Sequence, residues 1–516
     1  MPDDDDDCAT NRAPAVEPVA FNVGLFGHVD SGKTAIARVL TDVVSTAGLD
    51  AHPQSKRRGI TIDLGFTFFH LDGYLVTLVD APGHADLVQS VVSAARIIDA
   101  AVVVVDAKEG PQVQTGEHLV VLESLGVTDV AFALNKVDLL AEDQVASRVD
   151  RVREVVADTP YRDAPVVPVS AVQRRGFDAL KEALRGLLHP PARDVDGPFL
   201  LPVDHHFPVR GEGTVVTGTV LRGTLSVGDA VRVVPLGVNA RVKSIQVAKE
   251  RRPRVTAGNR AGVAVAGLPA DRLERGHYLT TDPACVPELR VALVSCRISR
   301  FFSGSVKFGL QVHATVGMTT LPALLFPVRV GGERAFAVEE VGPRAAPSGL
   351  PEDRTFDAVL VLREPAHGPL DSPVLLSRFD LPPTTLRVMG AARVERVMPA
   401  FPPFYRVKAK FGKVKNPDHP KGVVVTGLFQ SKQGARKYLG VRTKEPAGRI
   451  LDTFGTKGDV IVELESAATA GTDSPAQRPA AGDPVLVEVP WQFRVPLPDW
   501  GVPTEPVAEP PPPALR

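Results

Sequence analysis

One stretch of eight residues limits the possible folds of this 516-residue chain more than any other feature. Residues 27–34 read Gly-His-Val-Asp-Ser-Gly-Lys-Thr, which fits the phosphate-binding pattern G-x-x-x-x-G-K-[ST]. The apolar run 21–26 precedes it as a predicted buried strand, and residues 34–44 follow with the apolar spacing of a helix. This order predicts a P-loop. For the octet taken alone, an ordinary glycine turn before a helix is the alternative.

The loop predicts a cradle for nucleotide phosphates. Its glycines let backbone N–H groups turn toward the phosphates, and the N-terminus of the following helix adds its positive end. Lys33 is expected to reach the β- and γ-phosphates, and the Thr34 hydroxyl is expected to bind Mg²⁺. We predict nucleotide contacts from the whole octet: Gly27, His28, Val29, Asp30, Ser31, Gly32, Lys33 and Thr34.

Two further motifs predict the surroundings of the γ-phosphate. Thr61, within residues 58–63, is expected to meet Mg²⁺ and the γ-phosphate as a switch residue. Asp80 ends an apolar strand and is expected to hold Mg²⁺ through water, and the N–H of Gly83 is expected to sense the γ-phosphate. The predicted metal ligands are therefore Thr34, Thr61 and Asp80.

Two more motifs predict which base is bound. Asn135, Lys136 and Asp138 follow a strand, and the Asp138 carboxylate suits the N1–H and exocyclic amine of guanine. Ser170 and Ala171 are predicted to offer a backbone N–H to guanine O6. Each motif alone could be an accidental loop, but five in this order, each after a strand, predict GTP or GDP with Mg²⁺.

The predicted catalytic group comprises His84, Asp30, Thr61 and Gly83. His84 is expected to position the water that attacks the γ-phosphate, the role that glutamine has in Ras-like GTPases. The alternative is that His84 only packs against the switch segment.

The pattern of predicted secondary structure changes near residue 196, from alternating strands and helices to short strands alone, which predicts several domains. Apolar runs at 75–79, 101–105, 130–134 and 166–169 suit parallel strands buried on both faces, so residues 21–195 are predicted to form a doubly wound α/β GTPase domain. Short strands between turn signals then predict three β domains. Their expected limits are 196–285, 286–396 and 397–502, with a disordered acidic tail at 1–20 and a proline-rich tail at 503–516.

Composition predicts an ordinary soluble protein of the cytoplasm. The chain is 44% hydrophobic and 23% charged, and its net charge of −1 gives no overall preference for nucleic acid. Its three cysteines have no metal-binding spacing, which favours a reducing compartment. No apolar run has transmembrane length, so we expect no membrane partner.

At 27–34, 58–63 and 80–84 the chain resembles translational GTPases of the elongation factor Tu superfamily. Ser31 and residues 53–66 resemble the eukaryotic and archaeal selenocysteine-specific elongation factor, and residues 440–455 are similar to that family's extra fourth domain. The resemblance implies two EF-Tu-like β-barrels followed by a C-terminal β domain. It also implies that a monomer carries selenocysteinyl-tRNA to the ribosome at UGA codons and hydrolyses GTP there.

Two alternative functions stay open at this point. General elongation factors and the initiation factor 2 gamma subunit are the nearest competitors, but they lack the fourth domain. A GTP-regulated RNA-binding or assembly factor without tRNA cargo is the alternative from a different class.

The resemblance also implies a pocket for the aminoacyl group in the 196–285 domain. Its residues carry over as Asp204, His205 and Arg275. A selenol is more acidic than a thiol, so selenocysteine is an anion at neutral pH, and a cation such as Arg275 favours it over the hydroxyl of serine. Asp204 is expected to accept from the α-amino group or to orient His205. The alternative is that these are surface charges on a barrel rim.

The fourth domain contains a basic segment. Between residues 404 and 444 there are eleven lysines and arginines and one acid, Asp418. Alternation predicts that Arg406, Lys408 and Lys410 share one face of a strand, which would suit RNA phosphates. By the resemblance, the partner is a selenocysteine insertion RNA element or its binding protein. A solvated face that only protects a sheet edge is the alternative.

Overall fold

The computed structural model describes residues 18–41, 43–44, 64–81, 92, 95–332, 334–341, 354–382, 384–464, 479–493 and 495–504. Within these ranges the chain builds an α/β unit followed by three units made of β-strands. Thr61, Gly83 and His84, on which sequence-based predictions fall, lie outside the described residues.

The first unit is a seven-stranded sheet with helices packed against it. Strands β4, β1, β5, β6 and β7 run parallel, and β2 and β3 extend the sheet in the antiparallel sense on the β4 side. The strands are β1 Val19–Phe26, β2 Val43–Val44, β3 Gly65–Leu71, β4 Tyr74–Asp80, β5 Ala100–Asp106, β6 Asp129–Asn135 and β7 Val166–Pro168. The helices are α1 Lys33–Leu40, α2 Val113–Ser124, α3 Glu142–Val156 and α4 Phe177–Leu187.

The apolar runs that predicted parallel strands lie in this sheet. Side chains of β1, β5 and β6 fill a hydrophobic core on each face of it, which explains why these strands have no polar alternation. The helix predicted over residues 34–44 ends at Leu40, and Val43 and Val44 form β2 instead. Thr41 is extended, and its hydroxyl donates to the Ala37 carbonyl at 2.5 Å, so the side chain competes with the helix for that acceptor.

The second unit is built around a sheet in the order β8-β17-β12-β13-β16-β10-β9, with β14 beside β13 and a separate β11–β15 pair. Its strands are β8 Leu200–Pro202, β9 His205–Val209, β10 Gly213–Thr219, β11 Thr224–Ser226, β12 Ala230–Val234, β13 Val238–Val247, β14 Glu250–Arg252, β15 Arg254–Thr256, β16 Arg260–Ala266 and β17 Tyr278–Thr280. Phe68 and Leu75 of the first unit pack into its core, so the β3–β4 hairpin joins the two units.

The third and fourth units are two closed barrels. Pairing of β20 with β21 closes the first barrel, pairing of β27 with β32 closes the second, and β22 bridges β21 to β27. The first barrel has β18 Glu288–Ile298, β20 Leu310–Val316, β21 Thr319–Gly331, β24 Thr355–His367, β25 Val374–Ser377 and β26 Val388–Met398. Outside this ring lie the bridging strand β22 Arg334–Ala337 and a separate pair of strands, β19 Val306–Lys307 and β23 Glu340–Val341. The second has β27 Phe404–His419, β28 Gly422–Thr426, helix α5 Lys432–Arg436, β29 Arg442–Glu445, β30 Gly448–Phe454, β31 Asp459–Leu464 and β32 Pro484–Phe493.

Candidate functional site

The loop between β1 and α1 can be built only with glycine at its two fixed positions. Gly27 has φ +145° and Gly32 has φ +93°, conformations that other residues adopt at a cost. A Cβ at Gly27 would lie 2.2 Å from the Val104 carbonyl oxygen, and one at Gly32 would lie 2.2 Å from Asn135 Nδ2. The loop therefore lies against β5 and β6, and α1 begins directly at Lys33 with its N-terminus at the loop.

Lys33 places a positive charge inside this loop. Its Nζ donates to the carbonyl oxygens of Gly27 at 3.0 Å and His28 at 2.9 Å. Burial lowers the pKa of Lys33, against the opposing effect of Asp80 and Asp30. A desolvated cation within the loop has a strong attraction for a phosphate group that enters it.

Thr34 and Asp80 fit a shared magnesium site. The Thr34 hydroxyl donates to Asp80 Oδ2 at 2.7 Å, which joins the first turn of α1 to the end of β4. Mg²⁺ takes oxygen ligands and is commonly held by one or two protein groups together with waters and substrate phosphates. Among the described residues no group of three or more histidine, cysteine or acidic side chains could hold a metal alone, so the nucleotide would have to complete the ligand set.

Asn135 ties the predicted base-binding residues to the P-loop. Its Nδ2 donates to the Ser31 carbonyl at 2.9 Å, and its Oδ1 accepts from the Ala171 amide at 3.1 Å. The Ser170 hydroxyl donates to Asp138 Oδ1 at 2.5 Å, and Lys136 pairs with Asp106 at 2.7 Å. The structure thus brings Asn135, Lys136, Asp138, Ser170 and Ala171 to one edge of the sheet, beside the phosphate loop.

The two backbone amides predicted to meet guanine O6 both donate within the protein. The Ala171 amide is held by Asn135, and the Ser170 amide donates to the Arg175 carbonyl at 3.0 Å. The turn at residues 170–175 supplies the acceptor for Ser170, and the side chain of Asn135 supplies the acceptor for Ala171. In this geometry guanine O6 would have to share or replace one of these bonds.

Sequence reasoning missed a second support of the P-loop. Nδ1 of His118, in the middle of α2, accepts a hydrogen bond from the Gly27 amide at 3.0 Å. Burial, with Lys33 and His28 nearby, lowers the pKa of His118 to about 3, so the ring is neutral and can act as an acceptor. No local pattern marks this residue, because a histidine inside an apolar helix usually signals only packing.

In the second unit Asp204 and His205 lie at the start of β9 beside a buried arginine. Asp204 accepts from Thr217 Oγ1 at 2.6 Å, from His205 Nδ1 at 3.1 Å and from both terminal nitrogens of Arg260. Burial opposes ionisation, but the charge of Arg260 and the hydrogen bonds from His205 and Arg260 hold the pKa of Asp204 below its ordinary value. Of the two predicted roles of Asp204, this geometry favours the orientation of His205.

Arg260 is the residue of this cluster that sequence reasoning missed. Its side chain is 5% exposed, and its guanidinium carbon lies 3.2 Å from the ring centre of Phe66 on β3. The aromatic face adds a cation–π contact to the ion pair with Asp204. Arg260 therefore links the predicted cargo pocket to the strand that follows the segment containing Thr61.

Arg275 lies next to this cluster along the backbone. The amide of the following residue, Gly276, donates to the Val203 carbonyl at 2.9 Å, directly before Asp204. Arg275 is half-buried. The two elements that the sequence assigned to one pocket are thus adjacent, with Arg260 as a second cation.

A cavity of about 340 Å³ opens beside the cluster. Thr217 and Arg260, which both contact Asp204, also line this cavity. The remaining wall is largely apolar and includes Phe68, Phe207, Val209, Val215 and Ala264. Two charged residues, Glu212 and Lys249, also line the cavity.

The first part of the basic segment forms β27, and two of the three predicted face residues bind other parts of the protein. Arg406 pairs with Glu339 at 2.5 Å and lies over the ring of Phe493. Lys410 donates to the Leu428 carbonyl at 3.3 Å, and its Nζ lies 4.6 Å from the ring centre of Phe429. For these two residues the geometry supports a structural role, since their charges are directed at other parts of the chain.

Within the described residues, no helix is long and apolar enough to cross a membrane.

Three family models match successive parts of the chain. The elongation factor Tu GTP binding domain matches residues 19–190, and elongation factor Tu domain 2 matches residues 213–280. Domain III of the archaeal selenocysteine-specific elongation factor matches residues 289–398.

Individual relatives extend this similarity over most of the chain. The selenocysteine-specific elongation factor of Methanocaldococcus jannaschii is 36% identical over 468 residues, which are 89% of this chain and 97% of that protein. The Mus musculus protein of the same name is 38% identical over 328 residues, 59% of this chain and 56% of that protein. The structure of translation elongation factor SelB from Methanococcus maripaludis with the GTP analogue GppNHp is 32% identical with a TM-score of 0.70, covering 93% of this chain and all of that one.

Proposed function

Because the chain belongs to the family of selenocysteine-specific elongation factors, we propose that it delivers selenocysteinyl-tRNA to the ribosome at recoded UGA codons. Family membership confirms the sequence-based prediction of a translational GTPase with an α/β nucleotide domain and successive β domains. The chain is thus a GTP-binding translation factor for selenocysteinyl-tRNA. We further propose that the protein acts on the ribosome in the cytoplasm and that its fourth unit binds an RNA partner.

GTP hydrolysis would use the site between α1, β4 and β6. Lys33 and the loop amides would bind the phosphates, and Asp138 would bind the base. The hydrogen bond from Asn135 to Ser31 fixes the base-binding residues relative to the phosphate loop. Thr34 and Asp80 would hold Mg²⁺, which neutralises charge on the β- and γ-phosphates. We propose that His84 positions the attacking water and that Thr61 and Gly83 complete the γ-phosphate contacts.

His84→Ala tests the catalytic part of this proposal. We expect nearly unchanged GTP binding and ribosome-stimulated hydrolysis slower by about tenfold to a hundredfold, the scale of losing one positioning group. Single-turnover hydrolysis on ribosomes measures it, and an unaffected rate would leave His84 with a packing role only.

The cluster of Asp204, His205 and Arg260 is the observation that carries the choice of cargo. Asp204 already neutralises Arg260, so an anionic selenolate placed beside this pair needs a further positive group. Arg275, next to the cluster in the fold, is proposed to supply that charge. The neutral hydroxyl of serine would gain little from the same arrangement.

The adjoining cavity is proposed to take the last nucleoside of the tRNA. Its apolar wall of Val209, Val215 and Ala264 suits the face of a base. Thr217 and Arg260 border both the cavity and the Asp204 cluster, so a base bound there would hold its esterified amino acid beside the cations.

The deciding experiment compares selenocysteinyl-tRNA with seryl-tRNA on the same tRNA body, each titrated with the protein in GTP and in GDP. We expect tighter binding of selenocysteinyl-tRNA in GTP. Equal affinity for the two cargoes would favour the alternative of a general aminoacyl-tRNA carrier. Binding of neither cargo would favour a GTP-regulated factor without tRNA cargo.

A further inference from the structure

A groove of about 370 Å³ opens where the third unit meets the fourth. Leu293, Val359 and Arg396 stand in one cross-strand row on its third-unit side. Tyr405, on β27, lines the groove from the fourth unit. The segment that joins the two units adds three prolines: Pro399, Pro402 and Pro403. Val330, another lining residue, is 41% exposed, so apolar surface of the groove is open to solvent.

Two arginines carry the charge of this groove. Arg334 and Arg396 line it, and none of the described residues that line it is acidic. Arg334 lies over the ring of Tyr405, with its guanidinium carbon 5.3 Å from the ring centre. Two acids stand close by, Asp357 on β24 and Glu395 on β26. Burial and the nearby Glu395 raise the pKa of Asp357, so no arginine of the groove neutralises that acid.

The last described residues of the chain lie beside this groove. Thr504 pairs with Phe401 in a parallel bridge, and the Phe401 amide donates to the Pro503 carbonyl at 2.7 Å. In a parallel pair both segments run in the same direction, so the chain leaves Thr504 in the direction of residues 402–405. Because proline has no N–H, the backbone pairing cannot continue at positions 402 and 403. This geometry directs the continuing chain along the groove.

Residues 505–516, which lie outside the described residues, have the composition of a ligand for such a groove. Their sequence is Glu-Pro-Val-Ala-Glu-Pro-Pro-Pro-Pro-Ala-Leu-Arg. Four consecutive prolines at 510–513 favour the polyproline II conformation, which is preformed and packs on grooves lined by aromatic rings. At about 3.1 Å per residue this segment easily spans the groove from Thr504. Glu505 and Glu509 supply charges opposite to those of Arg334 and Arg396.

We propose that residues 505–516 dock in the groove between the third and fourth units, with their prolines on Tyr405 and their glutamates beside Arg334 and Arg396. A short tether gives an effective concentration on the order of millimolar, so a contact with a dissociation constant of about 0.1 mM is about nine-tenths occupied. The docked segment contacts both units and covers apolar surface that is otherwise in water. Docking involves neither the nucleotide site nor the cargo pocket, so it goes beyond the proposed function and does not depend on it.

The mobility of a spin label on the tail of the full chain tests this docking. Ala514→Cys carries the label, and Cys8→Ser with Cys285→Ser leaves the buried Cys296 as the only other thiol. We expect an immobilised component in the spectrum of this chain. Adding Tyr405→Leu should remove most of it, because leucine keeps an apolar side chain but not the aromatic face on which prolines pack. The matched control, at a partly exposed aromatic residue elsewhere in the fourth unit, is Phe454→Leu, which should change nothing.

Charge reversal separates docking from a general loss of stability. Arg334→Glu with Arg396→Glu places like charges opposite the tail and should free the label. Adding Glu505→Arg with Glu509→Arg to that variant restores opposite charges and should restore the immobilised component. Arg393→Glu, at an exposed arginine on the same strand as Arg396, is the matched control and should leave the spectrum unchanged.

Three results would overturn the proposal. The first is a label that is as mobile with the groove intact as in the Tyr405→Leu and arginine-reversal variants. The second is an immobilised component that survives these substitutions, since the tail would then be held elsewhere. The third is an immobilised component that disappears on dilution, because the tail would then occupy the groove of a second copy of the chain.

Discussion

His118 accepts a hydrogen bond from the backbone amide of Gly27 at 3.0 Å and so fixes the first residue of the P-loop from the middle of α2. The preceding residue on the same helix, Glu117, binds Arg387 of the third unit through both carboxylate oxygens. One helix thus contacts the phosphate loop and another unit through adjacent residues. A shift of α2 relative to the third unit would therefore displace the acceptor of the Gly27 amide.

Removing the acceptor at position 118 should weaken nucleotide binding. His118→Ala leaves the Gly27 amide buried without its partner, which costs about 1–3 kcal/mol and loosens the loop. We expect GDP affinity to fall by about fivefold to a hundredfold, mainly through faster dissociation. Stopped-flow release of a fluorescent GDP measures it. His118→Asn keeps an acceptor atom at a similar position and should behave like the unaltered protein.

The same residue should make stability depend on pH. The pKa of His118 is about 3 in the fold against about 6.5 in the unfolded chain, so between these values the unfolded chain binds more protons. The stability that depends on the neutral ring is present above pH 6.5 and is lost as pH falls toward 3. The thermal midpoint of the unaltered protein should therefore drop more steeply between pH 7 and pH 5 than that of His118→Asn. Parallel curves would contradict a buried neutral histidine.

Breaking the Glu117–Arg387 pair should destabilise the chain strongly. Both side chains are at most 4% exposed, so Glu117→Gln leaves a buried guanidinium without its counter-charge. The expected loss is about 3–5 kcal/mol, and the double variant Glu117→Met with Arg387→Met should recover much of it. Thermal and denaturant unfolding of the full chain measure both. A single variant as stable as the unaltered protein would show that this pair makes no net contribution to stability.

Asp138→Asn should change the base that the protein selects. The carboxylate is proposed to accept from guanine N1–H and the exocyclic amine, whereas an amide would offer the 2-oxo group of xanthine a donor. We expect weaker GTP binding and new binding of xanthosine triphosphate in a competition assay. Ser170→Ala removes only the hydroxyl that orients Asp138, so it should weaken binding without changing the preferred base. An unchanged guanine preference in Asp138→Asn would remove this residue from the site.

The P-loop was predictable because its information is local. A P-loop is defined by the order of a strand, two glycines, a lysine and a helix, and that order is visible within residues 21–44. His118 and Arg260 were not predictable in the same way. Arg260 contacts Asp204 across 56 residues and Phe66 across two units, and neither contact leaves a pattern in the neighbouring sequence.

The basic strand demonstrates a different limit. Alternation correctly predicts that Arg406, Lys408 and Lys410 occupy the same side of β27, but a period of two is symmetric and does not say which side is inward. That choice depends on which positions pair with Val485 and Val487 on β32, a strand more than seventy residues away. On that side Arg406 and Lys408 are exposed, while Lys410 is partly buried and donates to the Leu428 carbonyl, so the predicted RNA-binding face stays a prediction.

Cargo choice can be tested by removing, one at a time, the positive charges proposed to lie beside the selenolate. Asp204 and Arg260 neutralise each other, so the attraction for an anion depends on the further cation, proposed to be Arg275. Arg275→Ala should cost about 1.5–3 kcal/mol of binding to selenocysteinyl-tRNA, the range for a charge-assisted hydrogen bond, and much less of binding to seryl-tRNA. Paired titrations of both cargoes in GTP measure the difference.

Substitutions of Arg260 decide between the two cations. Arg260→Lys keeps the charge opposite Asp204 and should retain most of the discrimination, although it loses the planar fork. Arg260→Ala leaves Asp204 as an uncompensated anion beside the selenolate and should reduce discrimination more than Arg275→Ala; unchanged GTP binding would verify that this variant folds. Equal losses for both cargoes in Arg275→Ala would mean that Arg275 holds the tRNA body. A large selective loss in Arg260→Lys would then assign the selenolate contact to Arg260, because only a fork bound directly to the anion would make lysine a poor replacement there.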